Sequence, residues 1–86
     1  MIGLSKLIEI VGWVGAIVVI AAFGGVSYGW VDGRSRLYQA LNIVGGLLLA
    51  VNTAWHRAWP SVAVNIIWTA IAVGALMARL TPRRAL

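Results

Sequence analysis

The chain has 86 residues, of which 62% are hydrophobic and 10% are charged, and its formal net charge is +5. So few charges could not cover the apolar surface of a soluble protein of this size, and three apolar stretches leave no length for a soluble catalytic domain. Cysteine is absent, and the two carboxylates, Glu9 and Asp32, lie at opposite ends of the first stretch. We therefore expect no enzyme activity, no cofactor and no metal site.

The first apolar stretch covers residues 8–30 and contains one carboxylate and no Lys or Arg. Its length is close to the ~20 residues that cross a bilayer as a helix. A cleaved signal peptide is the alternative, but apolar residues continue beyond the small residues near position 25 through Trp30. Within this predicted helix, Gly24 and Gly25 are candidates for a hinge, although glycines in membrane helices also serve ordinary packing.

The second stretch covers residues 37–55 and follows a short linker with an Asp-Gly turn signal. It carries a pair of glycines, Gly45 and Gly46, which favours close packing against a neighbouring helix. It also carries two amides, Asn42 and Asn52, and amides in hydrocarbon need polar partners.

The third stretch covers residues 59–78, and Pro60 is tolerated because it falls in the first turn of the predicted helix. Ser61, Asn65 and Thr69 are spaced four apart, so they form one polar stripe on one helix face, with Trp68 beside it. Small residues at the same spacing predict a second packing surface, and these are Ala70, Gly74 and Ala78. The sequence thus predicts a single all-α domain over residues 1–86, with three transmembrane helices.

Two interpretations of the polar residues stay open. They hydrogen-bond the helices to one another, or they bind a small neutral solute, since amides and hydroxyls both donate and accept and an aromatic face stacks on a sugar ring. The residues that the second interpretation assigns to substrate binding are Asn42, Asn52, Ser61, Asn65, Trp68 and Thr69.

The charges predict how the helices are oriented. Lys6 and Arg57 lie on one side of the membrane, and five arginines lie on the other, in the first loop and the tail: Arg34, Arg36, Arg79, Arg83 and Arg84. An excess of cations marks the cytoplasmic side, which predicts the N-terminus outside and the C-terminus inside. Cations that flank the spans also fit anionic lipid headgroups better than nucleic acid.

The third stretch resembles the last helix of SemiSWEETs, which are bacterial half-transporters of the PQ-loop superfamily. Pro60 and Asn65 match the family's proline and its pocket asparagine five residues later. Gly12-Trp13-Val14, Ser35-Arg36, the length and the three spans match in character. The family's Pro-Gln pair is replaced near Gly25-Val26, and its pocket tryptophan is replaced at Leu49.

The resemblance implies a three-helix half-transporter in the bacterial inner membrane. Two parallel copies would face each other across a cavity that Asn65 lines, and alternating access would follow. We therefore expect a homodimeric facilitator of a small neutral, sugar-like solute. The alternatives are a non-transporting accessory or assembly subunit of a larger membrane complex, and a proton-coupled exporter, which the lack of a deep carboxylate disfavours.

Overall fold

A computed structural model describes residues 2–80, and it consists of three helices. Helix α1 spans Leu4–Ser27, α2 spans Arg36–Trp55 and α3 spans Trp59–Leu80. By length and composition, each could cross a membrane, and no strand occurs between residues 2 and 80. The predicted all-α membrane fold is therefore confirmed. Arg83 and Arg84, which the orientation prediction uses, lie outside the described residues. So do the other residues after position 80 of the predicted domain.

Two helix ends explain where the spans stop. At the end of α1 the Gly29 N–H donates to the Val26 carbonyl, the Trp30 N–H donates to the Gly25 carbonyl, and Gly29 has a φ of +75°. At the end of α2 Arg57 occupies the left-handed region with a φ of +57°, and the Ala58 N–H donates to the Thr53 carbonyl. Both ends have the bonding pattern of a Schellman motif. The first span therefore covers Leu4–Ser27 rather than the predicted residues 8–30.

The start of α2 is fixed by a side chain. Ser35 lies just before the helix in an extended conformation, and its Oγ accepts a hydrogen bond from the Tyr38 N–H at 3.1 Å. Serine is a preferred residue at this position, because its oxygen satisfies a backbone N–H that the helix leaves without a partner. This cap places the start of α2 at Arg36, one residue before the predicted start.

Helix α2 lies between the other two helices. Both α1 and α3 pack against it, whereas no Cα atom of α1 comes within 8 Å of a Cα atom of α3 in the described part of the chain. The loops of residues 28–35 and 56–58 are short, so neighbouring helices run antiparallel. The fold of residues 2–80 is thus a row, α1–α2–α3, in which every close approach of two helix backbones involves α2.

The adjacent glycines of α2 face different neighbours. A Cβ atom built on Gly45 would meet Val19 and the Gly15 carbonyl oxygen of α1. A Cβ atom built on Gly46 would overlap the Thr69 hydroxyl of α3. Adjacent positions are rotated by about 100° around a helix, so one pair of glycines allows close approach on both sides. The predicted packing role of this pair is therefore seen at both helix interfaces, or seams, of α2: Gly45 packs against α1 and Gly46 packs against α3.

Replacing Gly46 with Ala should destabilise the protein by about 1–3 kcal/mol, because the new methyl group would overlap the Thr69 hydroxyl. The free energy of unfolding, followed by circular dichroism during titration with a denaturing detergent, measures the effect. Gly24→Ala is the matched control, since nothing lies within 4 Å of a Cβ atom at that position. Thr69→Ala should partly restore the stability of the Gly46→Ala protein. Equal losses for both glycine variants would contradict the assigned contact.

Candidate functional site

The predicted site residues fall into three groups, and the first of them links α2 to α3. The Trp68 Nε1–H donates to the Asn42 Oδ1 at 3.0 Å, and the Asn42 Nδ2 donates to the Tyr38 carbonyl at 3.1 Å. Asn42 is 4% exposed, so its amide is removed from the surrounding lipid. The oxygen and the nitrogen of this amide each bond to a protein group, so the amide ties the α3 indole to the backbone of α2.

The second group links α1 to α2. The Asn52 Nδ2 donates to the Ile8 carbonyl at 3.0 Å, across the seam between the two helices. A Cβ atom at Gly12 would overlap the Asn52 side chain, so the absence of a side chain at Gly12 makes room for the amide. The glycine on α1 and the amide on α2 therefore pack together. Asn52 makes no hydrogen bond to Asn42 or Trp68.

The predicted polar stripe of α3 is divided by burial. Thr69 is buried against α2, Asn65 is half-buried and Ser61 is exposed. The Thr69 Oγ donates to the Asn65 carbonyl at 2.7 Å, and the Asn65 Nδ2 donates to the Ser61 carbonyl at 2.9 Å. These bonds lie within α3, as is common for hydroxyl and amide side chains in helices. The Thr69 hydroxyl and the Asn65 amide therefore each bond to the backbone of their own helix.

Open grooves run beside these residues. Pro60, Ser61, Val64 and Asn65 line a shallow groove of about 240 Å³ on the outside of α3. A second groove, of about 270 Å³, lies between α1 and α2 and is lined by Glu9, Gly12, Trp13, Ala16, Leu49 and Asn52. Asn65 and Asn52 therefore border different grooves. In residues 2–80, no buried side-chain nitrogen or oxygen atom lacks a hydrogen-bond partner.

The predicted small-residue surface of α3 does not pack within the chain. Ala70, Gly74 and Ala78 are all exposed, and nothing lies within 4 Å of a Cβ atom built on Gly74. We call these three residues the α3 ridge. Helical spacing puts the ridge on nearly the opposite side of α3 from Thr69 and Ala72, which are buried against α2. The ridge is therefore available to another transmembrane helix.

The predicted hinge glycines lie in the last turn of α1. Gly25 is buried, and a Cβ atom there would lie 3.0 Å from the Val31 side chain. Its carbonyl also accepts the hydrogen bonds that end the helix. Gly24, by contrast, has open space around it. This placement gives Gly25 a role in closing the first loop onto α1, and a hinge motion at this pair stays a prediction.

Some residues of the seams were not predicted. Gly15 and Ala22 are buried on α1, where they continue from Ile8 at a spacing of seven residues, and Gly15 lies against Gly45 and Leu48 of α2. The sequence does carry a signal for them, because Ile8, Gly12, Gly15 and Ala22 recur at helical spacing. The Trp68–Asn42 hydrogen bond has no such signal, since it depends on how α3 is placed along α2.

The coupling between Trp68 and Asn42 should be measurable in a double-mutant cycle with Trp68→Phe and Asn42→Leu. We expect a coupling free energy of about 0.6 kcal/mol and no more than about 1.7 kcal/mol, the range of side-chain hydrogen bonds between membrane helices. The readout is the free energy of unfolding in detergent. Trp13→Phe serves as the control, because Trp13 is exposed on α1, and it should show no coupling to Asn42. A coupling energy of zero for Trp68 would contradict the role of the hydrogen bond.

Comparison with known proteins assigns no activity to these residues. Neither the curated proteins nor the solved structures include a match. A protein-family model matches residues 8–84, which takes in most of α1, all of α2 and α3, and both loops. That family is uncharacterised, so its match brings no substrate or partner to the site. The chain belongs to this family, and each of its three helices is long and apolar enough to span a membrane.

Proposed function

We propose that the protein is a non-transporting assembly subunit of the membrane, which packs through the α3 ridge against another transmembrane helix. The observation that carries this proposal is the contrast between the two sides of α3. On the inner side, Asn42, Trp68 and Thr69 are bonded within the chain. On the outer side, the ridge is free of neighbours. Amides that hydrogen-bond within the chain, together with a ridge that no helix of the chain covers, are expected of a helix-packing protein rather than of a solute pathway.

The simplest partner for the ridge is a second copy of the chain. Small residues spaced four apart let two helix backbones approach closely, and Gly74 sits at the centre of this surface. A parallel homodimer is the arrangement we propose, with the ridge of each copy on the symmetry axis. Such a dimer would also serve as the core onto which a larger membrane complex assembles.

For orientation we propose the N-terminus outside and the C-terminus inside, in a bacterial plasma membrane. Support comes from the arginines of the first loop and of the end of α3, which outnumber the cations at the other end. The chain contains no cysteine, so single cysteines introduced into each loop would report its side by labelling from outside. Labelling of the loop of residues 28–35 in intact cells would refute this orientation.

Gly74→Leu should weaken self-association by about 1 kcal/mol or more, because the leucine side chain would hold the two ridges apart. Dissociation across a detergent dilution series, measured by energy transfer between labelled copies, gives the change. Gly24→Leu is the matched control, since it places the same side chain at an equally open glycine on α1. Unchanged association of the Gly74→Leu protein, or equal losses for the two variants, would show that the ridge is not the interface.

A homodimeric facilitator of a small neutral solute is the second candidate. The observation that favours it is the groove beside Ser61 and Asn65, which is open toward the outside of the chain and borders the residue that resembles the SemiSWEET pocket asparagine. Uptake of neutral sugars into vesicles that contain the protein tests it. The assembly proposal expects no uptake above that of empty vesicles, whereas uptake that is abolished by Asn65→Ala and kept by Asn42→Ala would establish the facilitator instead.

A further inference from the structure

A cavity lies at the end of the molecule where α1 passes into α2 and α3 ends. It has a volume of about 340 Å³, and its lining comes from the first loop, the first turn of α2 and the last turn of α3: Gly33, Arg34, Gln39, Ala75, Ala78 and Arg79. The alanines of α3 are too small to fill the space between α3 and the loop. The cavity is therefore built from the packing of two separate parts of the chain, and it is distinct from the polar groups described above.

The charge of this cavity is entirely positive. Arg34 of the first loop and Arg79 of α3 both line it, and no Asp or Glu belongs to its lining. The nearest carboxylate in sequence, Asp32, accepts a hydrogen bond from the Arg34 backbone N–H at 2.8 Å. That bond involves the Arg34 backbone and shapes the turn, so it does not engage the Arg34 guanidinium. Guanidinium groups bind phosphate with paired N–H donors, which gives both affinity and geometric fit.

The loop that carries Arg34 is held in place by several bonds. The Gln39 Nε2 donates to the Gly33 carbonyl at 3.1 Å, and the Ser35 N–H donates to the Asp32 carbonyl at 2.9 Å. The Ser35 cap described above ties the same loop to α2. Because the loop is fixed to the helix at these points, the backbone of Arg34 is positioned before any ligand binds, which lowers the entropic cost of binding.

The depth of the cavity matches a lipid headgroup. Tyr28 and Trp30 lie in the same loop, stack with ring centroids 5.3 Å apart, and are 75% and 79% exposed. Exposed Tyr and Trp side chains mark the boundary between hydrocarbon and headgroups in membrane proteins. Arg79 is in the last turn of α3, one residue before the helix ends at Leu80. The two arginines therefore lie where the phosphates of a bilayer are found.

We propose that Arg34 and Arg79 form a binding site for the phosphate of an anionic lipid headgroup, with Gln39 as a neutral hydrogen-bonding side chain at its edge. The lipid tails would lie along α3 past the small side chains of Ala75 and Ala78. The bound phosphate would clamp the first loop to the end of α3. The site shares Ala78 with the α3 ridge, but its test depends on the two arginines, so a failure of this inference is distinguishable from a failure of the assembly proposal.

The test is titration of the detergent-solubilised full chain with a short-chain phosphatidylglycerol, followed by tryptophan fluorescence. Arg34→Gln and Arg79→Gln should each weaken binding roughly fivefold, as expected for the loss of one cation near anionic lipid. Arg36→Gln is the matched control, because Arg36 carries the same charge at the same end of the molecule and does not line the cavity. It should bind the lipid like the parent protein, and phosphatidylcholine should not bind.

Three results would overturn the proposal. Equal losses for Arg34→Gln, Arg79→Gln and Arg36→Gln would indicate general attraction to the charged end of the chain rather than a site. Full binding by both cavity variants would show that the lipid binds elsewhere. Competition by millimolar inorganic phosphate would show that the ligand is a soluble phosphate compound and not a lipid. Circular dichroism of each variant verifies that the helices are retained, so that a loss of binding reports the site.

Discussion

The close approach of three backbones depends on two neighbouring positions in the middle of α2. Gly45 admits α1 and Gly46 admits α3, and neither seam would keep its present distance with a side chain at these positions. In lipid there is no hydrophobic drive between helices, so dispersion contacts and hydrogen bonds must hold them together, and both fall off steeply with distance. Because the glycines let the helices approach closely, Asn52 can bond across the interface with α1 and Trp68 can bond across the interface with α2.

The hydrogen-bond partners of the amide side chains indicate which function the geometry favours. An amide that faces a polar path through a membrane protein would keep donors or acceptors free for the solute. Here Asn42 is bonded at both ends, and Asn52 donates across its seam to a main-chain oxygen of α1. Buried amides of this kind specify which helices pair and in which register. Their arrangement supports a protein whose role is to pack, with its open surfaces directed at other molecules.

The sequence predicted the helices and their packing glycines, because hydropathy and small-residue spacing are local properties. It misplaced the end of α1, since Tyr28 and Trp30 continue the apolar pattern while the left-handed conformation of Gly29 ends the helix. It did not predict the order of the row or the bond from Trp68 to Asn42. Periodicity shows which residues share a face, but the position of one helix along another depends on contacts between residues far apart in the chain.

The row of helices has a consequence for how the membrane-embedded protein is made and how it responds to mutation. Since α1 and α3 do not meet, the hairpin of α1 and α2 contains its complete seam before α3 is synthesised, and α3 then adds to a finished surface. Changes in the two outer helices should also act independently, so their effects on stability add, except where both alter α2. The protein thus consists of two thermodynamic units that share one helix.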